Sequence, residues 1–259
     1  MNNIDKVKQK SSLSKRGFYL LPNILTTSAL FAGFYSIVQA MNGAYDHAAL
    51  AIFIALILDG LDGRVARLTN TQSAFGAEYD SLSDMVSFGV APSLIVYVWA
   101  LQPLGKIGWI AAFIYCSCAA FRLARFNVKL DIDDKQFFFG LPSPAAAALL
   151  ASFIWISFDN GISGNEIFLG FFQMQWFAFL LTIFAALSMV TDLRYYSGKD
   201  INLRNSQPFI AILFVVMVFG VISHNPAEVI FIILMGYALS GYVIFFRNRY
   251  IKNTRKKDA

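Results

Sequence analysis

Long apolar runs separated by short polar stretches make up most of this chain. The runs are continuous: they show neither the alternation of a half-buried strand nor the single apolar face of a soluble helix. A helix needs about 20 apolar residues to cross the hydrocarbon core of a bilayer, and most runs are near that length. The pattern predicts an all-α, polytopic integral membrane protein with about eight transmembrane helices. The predicted spans are 19–41, 46–68, 75–101, 107–126, 141–158, 172–191, 208–223 and 227–246.

The composition supports this class. The chain is 57% hydrophobic and only 14% charged, whereas soluble domains carry about 25% charged residues. The net charge of +5 comes from basic residues at the ends of the apolar runs, without the interleaved aromatic motif of RNA-binding proteins. We therefore expect no nucleic-acid partner.

The basic residues also predict the orientation in the membrane. If the N-terminus is cytoplasmic, eight spans leave 20 of the 21 Lys and Arg residues on the cytoplasmic side, and only Lys106 falls on the other side. The positive-inside rule therefore predicts that both termini are cytoplasmic. The basic C-terminal tail is expected to lie against anionic lipid headgroups.

Four aspartates stand at the ends of two otherwise apolar runs: Asp59, Asp62, Asp80 and Asp84. Their spacings of three and four residues place each pair on one face of a helix. Carboxylates at membrane depth are costly and need a compensating cation or a water-filled cavity. With no Cys or His nearby, this set of oxygen ligands suits Mg²⁺, Mn²⁺ or Ca²⁺. Two such ions would balance the four charges, and two-metal carboxylate sites are typical of phosphoryl-type displacements.

The aspartates allow two other interpretations. As helix caps paired with Arg64 and Arg67, the aspartates would need no ligand, but capping accounts for one or two of them and not for four. As the ion site of a divalent-cation transporter, they would need matching polar groups along the opposite half of the membrane. The chain offers no such groups there.

The region around the aspartates carries a family motif. Eight positions between 59 and 84 fit D-x2-D-G-x2-A-R-x8-G-x3-D-x3-D without a gap or substitution. In this the chain resembles the CDP-alcohol phosphotransferase family, membrane enzymes that move a phosphatidyl or similar group from a CDP-linked donor to an alcohol. The stretches SFGVAPS (87–93), FRLARFN (121–127) and GLPSPAAA (140–147) are similar to the phosphatidylserine synthase branch of that family.

The resemblance implies roles for the residues of the motif. The metal ligands would be Asp59, Asp62, Asp80 and Asp84, which would bind two Mg²⁺ or Mn²⁺ ions, and Asp84 would also be the general base. The CDP-lipid pocket would be formed by Gly63, Ala66, Arg67 and Gly76. Asn23 and Thr26, two polar groups one turn apart in the first span, either cap and pack locally or join this pocket.

The implied reaction is attack by the hydroxyl of L-serine on CDP-diacylglycerol, which gives phosphatidylserine and CMP. Arg122, Arg125 and Ser143 are candidates for binding the serine. The two arginines share a helix face, although snorkelling to the headgroups is the commoner fate of such residues. Glycerol 3-phosphate, inositol phosphate and choline remain alternative acceptors for the same chemistry.

The predicted organisation has four parts: a cytoplasmic arm (1–18), a catalytic transmembrane core (19–200), two additional helices (201–246) and a basic cytoplasmic tail (247–259). The resemblance implies a homodimer. The expected location is a bacterial inner membrane, with the active site facing the cytoplasm.

Overall fold

A computed structural model describes residues 3–129, 137–164, 166–168, 172–196 and 225–257. Helices form nearly all of it, because a chain in lipid must satisfy its backbone hydrogen bonds within each segment. The helices of this part are α1 (Asn3–Met41), α2 (Tyr45–Leu68), α3 (Ala74–Leu104), α4 (Lys106–Lys129), α5 (Ser143–Asp159), α6 (Met174–Val190) and α7 (Pro226–Lys257). The short strands are β1 (Phe137–Phe139), β2 (Ile167–Phe168), β3 (Phe172–Gln173) and β4 (Arg194–Tyr196).

Seven of the eight predicted spans coincide with these helices, and the remaining one, 208–223, lies outside the described residues. Four helical segments of the described part are long and apolar enough to cross a membrane by length and composition: Leu21–Met41, Ala74–Leu104, Lys106–Val128 and Pro226–Arg247. Helices α5 and α6 are apolar but shorter. Helix α2 is 24 residues long and carries the first two aspartates and two arginines near its C-terminal end. The arm and tail predicted from their polarity are helical extensions of α1 and α7 in the described part of the chain.

Small residues let the helices approach closely. The buried alanines of α2 and α5 contribute to one core, which α1, α3, α4, α6 and α7 complete. Where α1 meets α3, a Cβ added at Gly33 would lie 2.5 Å from Ser87 Oγ. The Ser87 hydroxyl donates to the carbonyl of Ala29 at 3.1 Å. Such small-residue contacts, with a hydroxyl bonded across the interface, are typical of membrane helix packing.

A tight connection between α2 and α3 brings the two halves of the aspartate motif together. Thr71 N–H donates to the carbonyl of Ala66 at 3.0 Å, and Asn70 has a φ of 51°. The Ser73 hydroxyl then accepts from Gly76 N–H at 3.0 Å, which caps the start of α3. The chain therefore changes direction within a few residues, and this brings Asp80 of α3 close to the two aspartates of α2.

Helix α3 is not regular. Two π-helical stretches, Met85–Val90 and Tyr97–Leu101, interrupt it, and the first begins directly after Asp84. The stretch is buried at Ser87, Phe88 and Gly89. π-Helical turns often occur at functional sites.

Two short antiparallel ribbons connect the later helices: β1 pairs with β4, and β2 pairs with β3. Beyond β1, Gly140 adopts a φ of 81°, and the N–H of Leu141 donates to Ser188 O at 2.8 Å. These contacts fix the start of α5, at Ser143, against the end of α6.

Candidate active site

Three of the four predicted aspartates form one cluster. One carboxylate oxygen each from Asp59 and Asp62 on α2 and from Asp80 on α3 lie within 4.8 Å of one another. Asp62 is 4% exposed, and its Oδ2 accepts a hydrogen bond of 2.6 Å from the Thr26 hydroxyl on α1. Asp80 Oδ1 is buried and has no hydrogen-bond partner. The cluster thus draws on three helices and leaves one buried oxygen without a donor.

Asp84 adjoins this cluster but is not one of its three members. Its carboxyl contacts that of Asp59 and interacts electrostatically with Asp80 and with Arg122 on α4. Asp84 therefore lies between the acidic cluster and a basic side chain, which is where a group that accepts a proton from a substrate would be useful.

No ion pair neutralises the cluster in the described part of the chain, where the ion pairs are His47–Asp46 and Arg125–Asp192. Arg67 Nε donates instead to the Gly63 carbonyl of its own helix at 2.8 Å. The interpretation of the aspartates as helix caps paired with arginines is therefore wrong for Arg67. Converging carboxylates and an orphaned buried oxygen fit a hard divalent cation, which takes oxygen ligands of this kind.

A cavity of about 430 Å³ opens beside the cluster, within the usual size range of small-molecule sites. Asp62 and Asp80 form part of its wall. The structure brings into this wall all six residues predicted for the CDP-lipid pocket: Asn23, Thr26, Gly63, Ala66, Arg67 and Gly76.

The connection between α2 and α3 adds residues that the sequence analysis missed. Thr71, Gln72 and Ser73 line the same cavity, as do Pro22 and Ala77. For Thr71, Gln72 and Ser73, the signal in the sequence was a polar tract at positions that the motif leaves unspecified. A Cβ added at Gly76 would lie 3.1 Å from Ser73 Oγ and 3.6 Å from Asn23 Oδ1, so glycine keeps this side of the cavity open.

The three candidates for acceptor binding separate into two groups. Arg122 Nη1 donates to the buried Ser143 hydroxyl at 2.7 Å, and Arg122 Nε is buried without a partner. Arg125, three residues further along α4, forms an ion pair with Asp192 instead. The structure thus brings together Arg122, Ser143 and Asp84, while Arg125 is held near the end of α6.

Apolar helices around a partly buried carboxylate cluster and an adjoining cavity define a polytopic membrane protein with a group of aspartates that could hold a metal ion. Comparison with known families narrows this class. A profile described as CDP-alcohol phosphatidyltransferase matches residues 19–187. The chain belongs to this family.

Individual relatives extend the similarity over most of the chain. It is 37% identical over 245 residues to the CDP-diacylglycerol–serine O-phosphatidyltransferase of Helicobacter pylori J99, covering 92% of this chain and 97% of the relative. The proteins of that name from Mycobacterium leprae and Methanocaldococcus jannaschii are 33% and 41% identical. Those matches cover 76% and 56% of this chain, and 64% and 61% of the relatives.

Proposed function

We propose that this protein transfers the phosphatidyl group of CDP-diacylglycerol to the hydroxyl of L-serine, releasing phosphatidylserine and CMP. The observation that carries the proposal is the carboxylate cluster beside a cavity lined by all six residues predicted for the CDP-lipid. The names of the relatives support serine as the acceptor.

In this proposal Asp59, Asp62 and Asp80, joined by Asp84, would hold divalent Mg²⁺ or Mn²⁺, with two ions in the full site. Metal held there would supply positive charge to the pyrophosphate and to the leaving group. The Thr26 hydroxyl orients Asp62 for this role through its hydrogen bond. The nucleotide occupies the cavity between α1, α2 and α3, and the acyl chains extend into the bilayer.

Asp84 takes the proton from the serine hydroxyl. The serine oxygen then forms a bond to the phosphorus that carries the diacylglycerol, and the bond from that phosphorus to the CMP oxygen breaks. Asp84 suits this role because it faces both the acidic cluster and Arg122.

Arg122 binds the carboxylate of serine, and Ser143 orients the guanidinium through its hydrogen bond. An arginine suits this role because its planar guanidinium can form two parallel, charge-assisted hydrogen bonds with one carboxylate. Arg125 remains a weaker candidate for this subsite, since Asp192 already pairs with its guanidinium.

The wider arrangement is proposed as follows. Eight spans cross the membrane with both termini in the cytoplasm, and residues 19–200 form the catalytic core of a homodimer. The active site faces the cytoplasm of a bacterium, where the water-soluble acceptor is available.

The deciding experiment is CMP release from CDP-diacylglycerol by the purified protein with Mn²⁺ or Mg²⁺. L-Serine, glycerol 3-phosphate, inositol, inositol phosphate, choline and no acceptor would be compared in parallel. Release that depends on serine alone supports the proposal. Release with another acceptor retains the chemistry and refutes serine. No release with any acceptor, together with metal uptake into sealed vesicles, refutes the enzyme in favour of a transporter.

The acceptor subsite has its own test. Arg122→Lys keeps the charge and loses the planar fork, so we expect the serine KM to rise about tenfold, the size of one lost charged hydrogen bond. Arg125→Lys should have the smaller effect, because that guanidinium is held by Asp192. Equal serine KM values in the wild type and Arg122→Lys would remove Arg122 from the subsite.

A further inference from the structure

The hydroxyl of Tyr115 on α4 supplies a hydrogen bond that the backbone of α3 lacks. In a regular helix the carbonyl of Phe88 would accept from the N–H of residue 92. Residue 92 is a proline, which has no N–H. The Tyr115 hydroxyl donates to this carbonyl at 3.2 Å, and both side chains are 0% exposed. A side chain of α4 therefore provides the donor that Pro92 cannot.

Tyr115 belongs to the face of α4 that carries Arg122. Tyr115, Ala119 and Arg122 are spaced four and three residues apart, which places them on one side of a helix. Ala119 packs against α3 at Gly89, where an added Cβ would lie 3.2 Å from Ala119 Cβ. This face of α4 therefore lies against the π-helical stretch of α3 and continues to the guanidinium.

A second hydrogen bond joins the two helices on the other side of the proposed general base. Asn127 Nδ2 on α4 donates to Ser81 Oγ on α3 at 3.0 Å. From the Tyr115 bond to this one, residue numbers rise along α4 and fall along α3, so the two helices are antiparallel. Asp84 and Arg122 both lie between the two bonds, at corresponding positions of their helices. The placement of α4 on α3 thus sets the distance between the carboxylate and the guanidinium.

We propose that Tyr115 is a positioning residue, whose bond to α3 fixes the separation of Asp84 and Arg122. This inference rests on the proposed function, in which Asp84 takes the proton of the serine hydroxyl and Arg122 binds the serine carboxylate. Those two groups of serine are held on neighbouring carbon atoms, so their separation has a narrow range. A small shift of α4 would keep both protein groups and break their match to the acceptor, and a displacement of about 1 Å can be costly in rate.

The first test is Tyr115→Phe, which removes the hydroxyl and keeps the buried ring. We expect kcat/KM for serine to fall about tenfold, the size of effect that follows when a buried carbonyl loses its donor. The KM for CDP-diacylglycerol and the half-maximal Mn²⁺ concentration should change less than about twofold, because α1, α2 and α3 supply the cavity and the aspartate cluster.

Tyr195→Phe is the matched control. The Tyr195 hydroxyl donates to the carbonyl of Ala238 at 3.1 Å, and the side chain is 0% exposed. This variant therefore removes the same kind of buried bond, between β4 and α7 instead of between α3 and α4. It should leave kcat/KM for serine within about twofold of the wild type, although it loses a comparable hydrogen bond.

A steric variant tests the same placement and keeps the Tyr115 hydroxyl. Gly89→Ala would put a Cβ 3.2 Å from Ala119 Cβ and 3.1 Å from the flexible end of Met85, so α4 has to move relative to α3. We expect kcat/KM for serine to fall several-fold while the KM for CDP-diacylglycerol is retained. Adding Ala119→Gly to this variant removes the opposing methyl group and should restore the serine kinetics.

The outcomes separate this inference from the proposed function. If the wild type releases CMP with serine and Arg122→Lys raises the serine KM, unchanged serine kinetics in Tyr115→Phe overturn the role of Tyr115. An equal loss in Tyr195→Phe, or an equal rise in the KM for CDP-diacylglycerol, also overturns it, because either pattern reflects general damage. Absence of serine-dependent CMP release in the wild type refutes the proposed function itself.

Discussion

The hydrogen bond from Thr26 to Asp62 offers a sharp test of the metal site. Thr26 and Asp62 are each 4% exposed, and the two oxygens are 2.6 Å apart. The Thr26 hydroxyl also lies 3.1 Å from the Pro22 carbonyl, but its single proton favours the shorter contact to the charged group. Thr26→Val removes the hydroxyl and preserves the shape of the side chain.

The expected magnitude follows from the burial of both groups. A hydrogen bond to a charged group contributes about 1.5–3 kcal/mol, and water cannot readily replace the donor at a buried site. If that energy is lost from the metal-bound arrangement of Asp62, metal affinity falls roughly 10- to 150-fold. The value agrees with the 10- to 100-fold range typical when a group that orients a metal ligand is removed.

The assay is CMP release measured against Mn²⁺ concentration at saturating CDP-diacylglycerol and serine. Thr26→Val should shift the half-maximal Mn²⁺ concentration upward by that factor and regain activity at high Mn²⁺, and Thr26→Ser should restore the original curve. Thr27→Val is the matched control, since the exposed Thr27 hydroxyl contacts Asn23 O and Tyr79 instead. Superimposable Mn²⁺ curves for Thr26→Val and wild type would refute the reasoning.

Three further outcomes are expected. Asp84→Asn should lower kcat by about 10²- to 10⁴-fold, the usual contribution of a general base, with CDP-lipid binding largely retained; undiminished turnover would contradict that role. Gly76→Ala should raise the KM for CDP-diacylglycerol several-fold, because the added Cβ would lie 3.1 Å from Ser73 Oγ. Gly60→Ala should leave this KM unchanged, because its Cβ would meet no atom of the described residues within 4 Å. EDTA should lower the melting temperature of the protein and Mn²⁺ should restore it, because a cation that binds only the folded cluster stabilises the folded state. An identical melting curve with and without EDTA would argue against a bound metal.

The positions of the helices were predictable because the lipid environment imposes them. Each apolar run must form its own helix, so the run lengths alone located α2 at 46–68 against the observed Tyr45–Leu68. The irregular course of α3 was not predictable. Its π-helical stretches follow no periodicity of the sequence, and the first lies where Ser87 packs closely against Gly33 of α1.

Within the site, residues close together in sequence were easier to assign than residues joined only by folding. The motif grouped the four aspartates with Gly63, Ala66, Arg67 and Gly76, and the structure places three of the aspartates in one cluster and the other four residues along the adjoining cavity. The different environments of Arg122 and Arg125 were hidden, because both occupy one predicted face and their partners, Ser143 and Asp192, are 21 and 67 residues away along the chain.

The π-helical stretch after Asp84 has a consequence for how this segment tolerates insertions and deletions. A π-turn holds one more residue than an α-turn, so the helix after it keeps its facing although the sequence is offset by one position, about 100°, from an uninterrupted α-helical pattern. Deleting one residue between 85 and 90 is therefore expected to convert the π-turn into an α-turn and to leave Ala91 and Ile95 buried where they are. Deleting a residue from a regular turn of α2 would instead rotate everything beyond it by about 100°. The loss of one residue should thus be tolerated better within this stretch than in the regular helices around it.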